Sequence, residues 1–140
     1  LPGIVLIQTI NPEHYAIRFA AAQDYRKFYE KELQFRRVMR YPPFAALANL
    51  LVRSERQEQA LEWSSEIGRR LNPAPDGLKI LGPAEAPVAK IKKEFRYQLL
   101  VKATDRGKLN QALKEIRQWT VDSKWRAGAL VIDVDPVTLL

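Results

Sequence analysis

From Phe95 to Ala103 the chain alternates. Phe95, Tyr97, Leu99, Val101 and Ala103 share one parity, and Arg96, Gln98, Leu100 and Lys102 share the other. A period of two marks a strand that buries one side only. Beyond Asp105 the spacing changes: Leu109, Ala112, Leu113 and Ile116 recur at three and four, one face of a helix. This switch of period predicts a strand followed by a covering helix, and the neighbouring segments extend the series.

Phe44 to Arg53 reads as a strand. Ser54 followed by Gln57 predicts a capping-box start for a helix burying Ala60, Trp63, Ile67 and Leu71. Asn72–Gly77 reads as a loop and Leu78–Leu81 as a short strand. Gly82–Pro87 reads as a connection, too rich in proline for a tight hairpin. Leu130, Ile132 and Val134 mark the last strand, closed by Asp135-Pro136. The order from Phe44 is strand, helix, strand, strand, helix, strand. This is an α+β, ferredoxin-like split βαβ arrangement, an antiparallel four-stranded sheet with both helices on one face. Phe44–Val52 is apolar on both parities, so some further cover over the open side of the sheet is expected.

The N-terminal part follows another pattern. Ile4–Ile7 is a continuous apolar run, predicted to be a strand buried on both faces and in need of neighbours, as in a piece of something larger. Asn11-Pro12-Glu13 predicts an N-cap and a helix to about Ala22. A second helix is expected over 24–40, with Tyr25, Phe28, Tyr29, Leu33, Phe35 and Met39 as its core stripe. Tyr41-Pro42-Pro43 ends it. Two domains are therefore expected, 1–43 and 44–140.

Several chemistries are excluded. The 140 residues include no Cys and a single His, His14, so neither a disulfide framework nor a zinc site is expected. No apolar run reaches the ~18 residues of a membrane span, and the expected compartment is the cytoplasm. No GxxxxGK[ST] or GxGxxG loop cradles a nucleotide. The glycine-rich loop that small acylphosphatases of this topology need is also missing. Asp133 and Asp135 could hold a cation, but offsetting a neighbouring Arg or Lys is the better reading. Catalysis by this chain is not expected.

The formal charge of +7 points to polyanionic partners. From Val88 to Lys108, seven Lys or Arg stand against two acids, Glu94 and Asp105. Lys90, Lys92, Lys93, Arg96 and Lys102 are the candidate phosphate contacts. Arg106 and Lys108 stand in the first turn of the last helix, where cations oppose the helix dipole unless an anion docks there. The other reading has Asp105 capping the helix and both side chains splaying into water. No RNA-recognition aromatic signature is present, and the parity of Phe95 and Tyr97 turns them to the core.

Four segments together are similar to one family: PGIVLIQTINPEHYAI (2–17), DYRKFYEKELQFRRVMRYPPF (24–44), LGPAEAPVAKIKKEFRYQLLVK (81–102) and VIDVDPVTLL (131–140). They resemble the C-terminal region of the PriA family, the bacterial primosomal replication-restart helicases. The resemblance implies that residues 1–43 end a second helicase lobe and that 44–140 are the family's C-terminal domain. It implies a parent that is an ATP-dependent 3′→5′ DNA helicase, with ATP, magnesium and zinc bound outside this chain. It further implies as partners forked or single-stranded DNA, the acidic C-terminal tail of single-stranded DNA-binding protein, other primosome proteins and the rest of the helicase. Arg106, with Lys108 nearby, and Asn110 match the tail-binding positions. Asn110 stands where the family has Gln, which shortens its reach. The competing reading is a freestanding RNA-binding or ribosome-associated ferredoxin-like protein.

Overall fold

The computed structural model describes residues 3–137. The chain divides into two compact units, one ending at Met39 and the next beginning at Arg40.

The first unit holds two helices, α1 (Tyr15–Ala21) and α2 (Tyr25–Met39). Ile4–Ile7 is not in a strand here, and Ile4, Val5 and Leu6 are exposed. A strand needs a neighbour to satisfy its backbone, and among the described residues none pairs with this one. Asn11 is not the N-cap of α1. His14 is, its ring nitrogen accepting from the Ala16 N–H. Asp24 caps α2 through the Lys27 N–H. The aromatic stripe of α2 is not a core: none of its residues is buried, and Tyr25 is 74% exposed.

The second unit is a four-stranded antiparallel sheet with two helices. Its elements are β1 (Ala46–Ser54), α3 (Gln57–Arg70), β2 (Leu78–Ile91), β3 (Glu94–Ala103), α4 (Arg106–Asp122) and β4 (Leu130–Val134). The strand order is β2-β3-β1-β4, as expected of the ferredoxin-like arrangement.

One parity of the sheet meets both helices. Ala48, Leu50 and Val52 of β1 and Leu99 and Val101 of β3 pack with Ile67 of α3 and Leu109, Leu113 and Ile116 of α4 in a single core. Fully burying one such aliphatic side chain stabilises by about 1.5–3 kcal/mol. Three indoles close the end of this layer. Trp63 stacks on Trp125 at 4.4 Å, Trp119 meets Trp125 edge-on at 5.0 Å, and the Arg70 guanidinium lies 4.2 Å from the Trp119 ring centre.

Two local expectations are corrected. The Ser54–Gln57 capping box does not form, because β1 runs through Ser54 and α3 starts from Arg56 with no side-chain cap. Ser54 instead accepts from the Arg56 N–H and donates to Gln59. Gly82–Pro87 is not a connection either. It lies inside β2, which accommodates it by register shifts between Leu81 and Ala84 and between Glu85 and Lys90. β2 is an edge strand, where proline costs no ladder hydrogen bond on the outer side.

Candidate functional site: a basic hairpin end and an arginine cleft

The reversal from β2 to β3 is two residues long, Lys92 and Lys93, between the paired Ile91 and Glu94. Both lysines have positive φ, 48° and 73°, the geometry of the tight hairpin turn that suits Asn-Gly. Two side chains that could have been small are long cations at the tip of the ribbon.

Around them lies a set of charges that the strands bring together. Arg53 and Arg96 face each other across β1 and β3. Glu94 is taken up by Arg126, which donates to it, and by Arg53 at 3.6 Å. With its nearest acid so engaged, the hairpin end keeps its surplus of cations. Among the described residues no carboxylate lies in ion-pair range of Lys92 or Lys93. Lys90 places its ammonium 4.3 Å from the Phe95 ring centre, and Arg96 donates to the Val88 carbonyl at 3.2 Å. Tyr97 is 7% exposed and its hydroxyl donates to Glu85. The Tyr97 ring is therefore not offered for base stacking, in keeping with its parity, and Phe95 is partly buried.

The structure brings Lys90, Lys92, Lys93 and Arg96 to one end of the hairpin. Lys102 is at the other end of β3, about 20 Å away at ~3.3 Å per residue, where its ammonium lies 3.7 Å from the Tyr41 ring centre.

Arg106 lines a second feature. A cleft of about 350 Å³ is walled by Pro42, Pro43, Phe44, Thr104, Arg106 and Asp135. Asp105 caps α4 by accepting from the Lys108 N–H, as its position predicts. The two basic side chains of the first turn then diverge. Arg106 donates to Asp135, and Lys108 donates to the Asp76 carbonyl at 2.7 Å. Asn110, one turn on from Arg106, is exposed. Asp135 is held in turn by β1: one carboxylate oxygen accepts from the Leu47 N–H at 3.0 Å. That backbone hydrogen bond, and then Arg106, keep the Asp135 carboxyl below the ordinary carboxylate range. Asp135 does offset a cation, but one on a helix rather than on a neighbouring strand.

The contributions of Arg53, Arg126 and Glu94 to the hairpin end carry no local signal. They depend on cross-strand register and on a return of the chain after α4. The walls of the cleft were visible only as the proline pair that ends the second helix.

Comparison with known proteins follows the same lines. Residues 37–137 match the family described as Primosomal protein N C-terminal domain. The chain is 34% identical to the replication restart protein PriA of Bacillus subtilis, over 99% of this chain and 18% of that protein. The corresponding protein of Borreliella burgdorferi is 31% identical over 99% of this chain and 21% of its own length. That of Synechocystis is 35% identical over 99% and 16%. The chain thus spans about a fifth of the length of these relatives.

Proposed function

Because the chain belongs to the Primosomal protein N C-terminal domain family, we propose that it is the DNA- and partner-binding module of a longer replication-restart protein. In this reading the longer protein is an ATP-dependent DNA helicase. Its nucleotide, magnesium and zinc sites lie outside this chain, and primosome proteins are among its partners. The hairpin end carries the proposal: Lys90, Lys92, Lys93 and Arg96 converge there, and among the described residues no acid is paired to the two lysines of the turn. Such a cluster contacts phosphates without reading bases, and each contact releases counterions. Arg106 and Asn110 contribute separately as an anchor for an acidic peptide tail, since a guanidinium can offer a carboxylate a forked pair.

The test uses fluorescence anisotropy with a labelled forked oligonucleotide at about 50 and 200 mM salt, concentrations across which phosphate-led binding weakens steeply. Wild type should weaken as salt rises. Lys92→Glu with Lys93→Glu should weaken binding to every sequence alike, and binding indifferent to both changes would overturn the DNA reading. For the tail, Arg106→Ala should cost about 1.5–3 kcal/mol with a peptide of the single-stranded-DNA-binding-protein tail. Arg106→Lys should recover only part, because the fork is lost. Equal affinities would leave Arg106 as a partner of Asp135 alone.

A further inference from the structure

The two edges of the sheet are not alike. β2 is interrupted by two register shifts and carries Pro83 and Pro87, devices that keep a second chain from pairing with an edge. β4 has neither. It pairs with β1 in unbroken register from Leu130 to Val134 and contains no proline and no cation. Among the described residues no strand lies on its outer side.

The phase of the ladder shows which backbone groups are left over. Arg53 donates to the Ala129 carbonyl at 2.8 Å and Asp135 to the Leu47 carbonyl at 2.7 Å, so these two bonds bracket the strand. Bonded residues alternate along an antiparallel pair, so Val131 and Asp133 turn their N–H and C=O groups to β1. Leu130, Ile132 and Val134 turn theirs outward, where no partner meets them among the described residues. The side chains of these three have the parity of the core, yet Leu130 and Ile132 are only partly buried and Val134 is 39% exposed.

Asp133, on the other parity, does not offset a neighbouring cation as its spacing suggests. It is exposed and, among the described residues, in no ion pair, whereas Asp135 is taken up by Arg106. In a chain with 23 Lys and Arg against 16 acids, a carboxylate without a cation runs against the overall balance. Opposite Asp133 stands Asn49, whose Oδ1 is buried with no hydrogen-bond partner. Two acceptors thus face each other across the strands, and what both lack is a donor.

We propose that the outer edge of β4 accepts a strand from a partner protein, aliphatic at alternate positions and with a lysine or arginine opposite Asp133. In strand addition the main chain supplies the affinity and alternate side chains supply the choice of partner. An antiparallel guest forms its bonded pairs at Leu130, Ile132 and Val134. Asp133 then falls in a non-bonded pair, with Cα atoms about 4.5 Å apart and side chains close. Opposite charges in that position stabilise the pairing and like charges weaken it. A second copy of the chain is a poorer guest: β4 paired with itself about Ile132 sets Asp133 opposite Val131 and brings no cation. Nucleic acid, which suits the basic hairpin end, is repelled by Asp133 and cannot continue a backbone ladder.

The test uses the 140-residue chain and a capped seven-residue peptide of alternating Thr and Val in which one Thr, set to face Asp133, is replaced by Lys. A second peptide has Glu in place of Lys, and a third has the Lys sequence with its Val amides N-methylated. Amide hydrogen exchange by NMR is the readout. In the free chain the Val131 and Asp133 amides should exchange slowly and those of Leu130, Ile132 and Val134 fast. The Lys peptide should slow the latter three saturably. The Glu peptide should bind at least about threefold more weakly, the N-methylated peptide should have no effect, and Asp133→Lys should reverse the preference between Lys and Glu. Four outcomes would overturn the proposal: slow exchange at Leu130, Ile132 and Val134 in the free chain, no slowing by the Lys peptide, equal binding of the Lys and Glu peptides, or the same slowing produced by a forked oligonucleotide or by raising the protein concentration.

Discussion

Arg106, the first residue of α4, donates to the carboxylate of Asp135, just past the end of β4, and Asp135 exchanges hydrogen bonds with the backbone of Leu47 at the start of β1. A helix and two strands are tied at one corner through one charged group. The corner matters for function because the same guanidinium is the proposed anchor for an acidic tail.

The tie has a pH signature. The Asp135 carboxyl is held low by the Leu47 N–H and then by Arg106. A carboxyl whose pKa is depressed on folding contributes stability above its unfolded value of ~3.9. It loses that contribution as pH falls through the folded value. Asp135→Asn should therefore lose less stability than wild type on acidification below about pH 4. At neutral pH its cost should stay near 0–1 kcal/mol, as for other exposed pairs. Urea unfolding at a series of pH values checks this, and parallel curves for the two proteins would refute it.

Adjacent leucines on β3 should behave differently. Leu99 is fully buried against both helices, whereas Leu100 lies on the open face. Leu99→Ala should cost about 2–5 kcal/mol, the range for a buried leucine leaving a cavity. Leu100→Ala should cost well under half of that. Equal costs by urea unfolding would mean that the open face is as tightly packed as the core.

This contrast was legible from the sequence, since alternation along 95–103 and the spacing of Leu109, Leu113 and Ile116 report faces directly. The hairpin turn was not. Lys92 and Lys93 carry none of the Gly or Asn chemistry that marks a tight turn, and the Gly and prolines of Gly82–Pro87, which read as a connection, lie inside a strand. Tertiary pairing with β3 overrode both local signals. The stripe on α2 was misread because helical spacing shows that a face is apolar, not that anything covers it. At the Arg106 site the helix cap was readable from Asp105. The partnership with Asp135 was not, because only the closing of the sheet brings the two residues together.

Stability and DNA affinity should move in opposite directions at the hairpin tip. Two lysines with positive φ are less suited to that turn than Asn-Gly. Lys92→Asn with Lys93→Gly should therefore raise stability by about 0.5–1 kcal/mol, while removing two cations and weakening DNA binding. Calorimetry and anisotropy on the same preparation test the pair of effects. A lower Tm would show that the lysines already suit the turn, and unaltered affinity would remove them from the proposed DNA site.

Two glycines should respond with opposite signs to a methyl group. Gly82 has φ of +104°, and a Cβ there would sit 2.8 Å from the Gln98 carbonyl oxygen of the neighbouring strand. Gly82→Ala should cost about 1–3 kcal/mol or more. Gly68, inside α3, would place its Cβ 3.6 Å from Leu99 and Pro83, ordinary contact distance. Gly68→Ala should stabilise by about 0.5–1 kcal/mol from helix propensity. Thermal unfolding of both variants is decisive, and stabilisation by Gly82→Ala would contradict the described path of β2.

The strand order β2-β3-β1-β4 also sets a timetable for synthesis. β1 is made first among the strands, yet both of its partners come late: β3 after a helix and a strand, β4 last of all. With ribosomes adding about 5–20 residues per second, roughly eighty residues separate the end of β1 from the end of β4. The most apolar strand of the domain thus waits for several seconds with one edge or both unpaired. The hairpin of β2 and β3 can close on its own in microseconds, before the central strand that will join it to β4 has any complete sheet to enter.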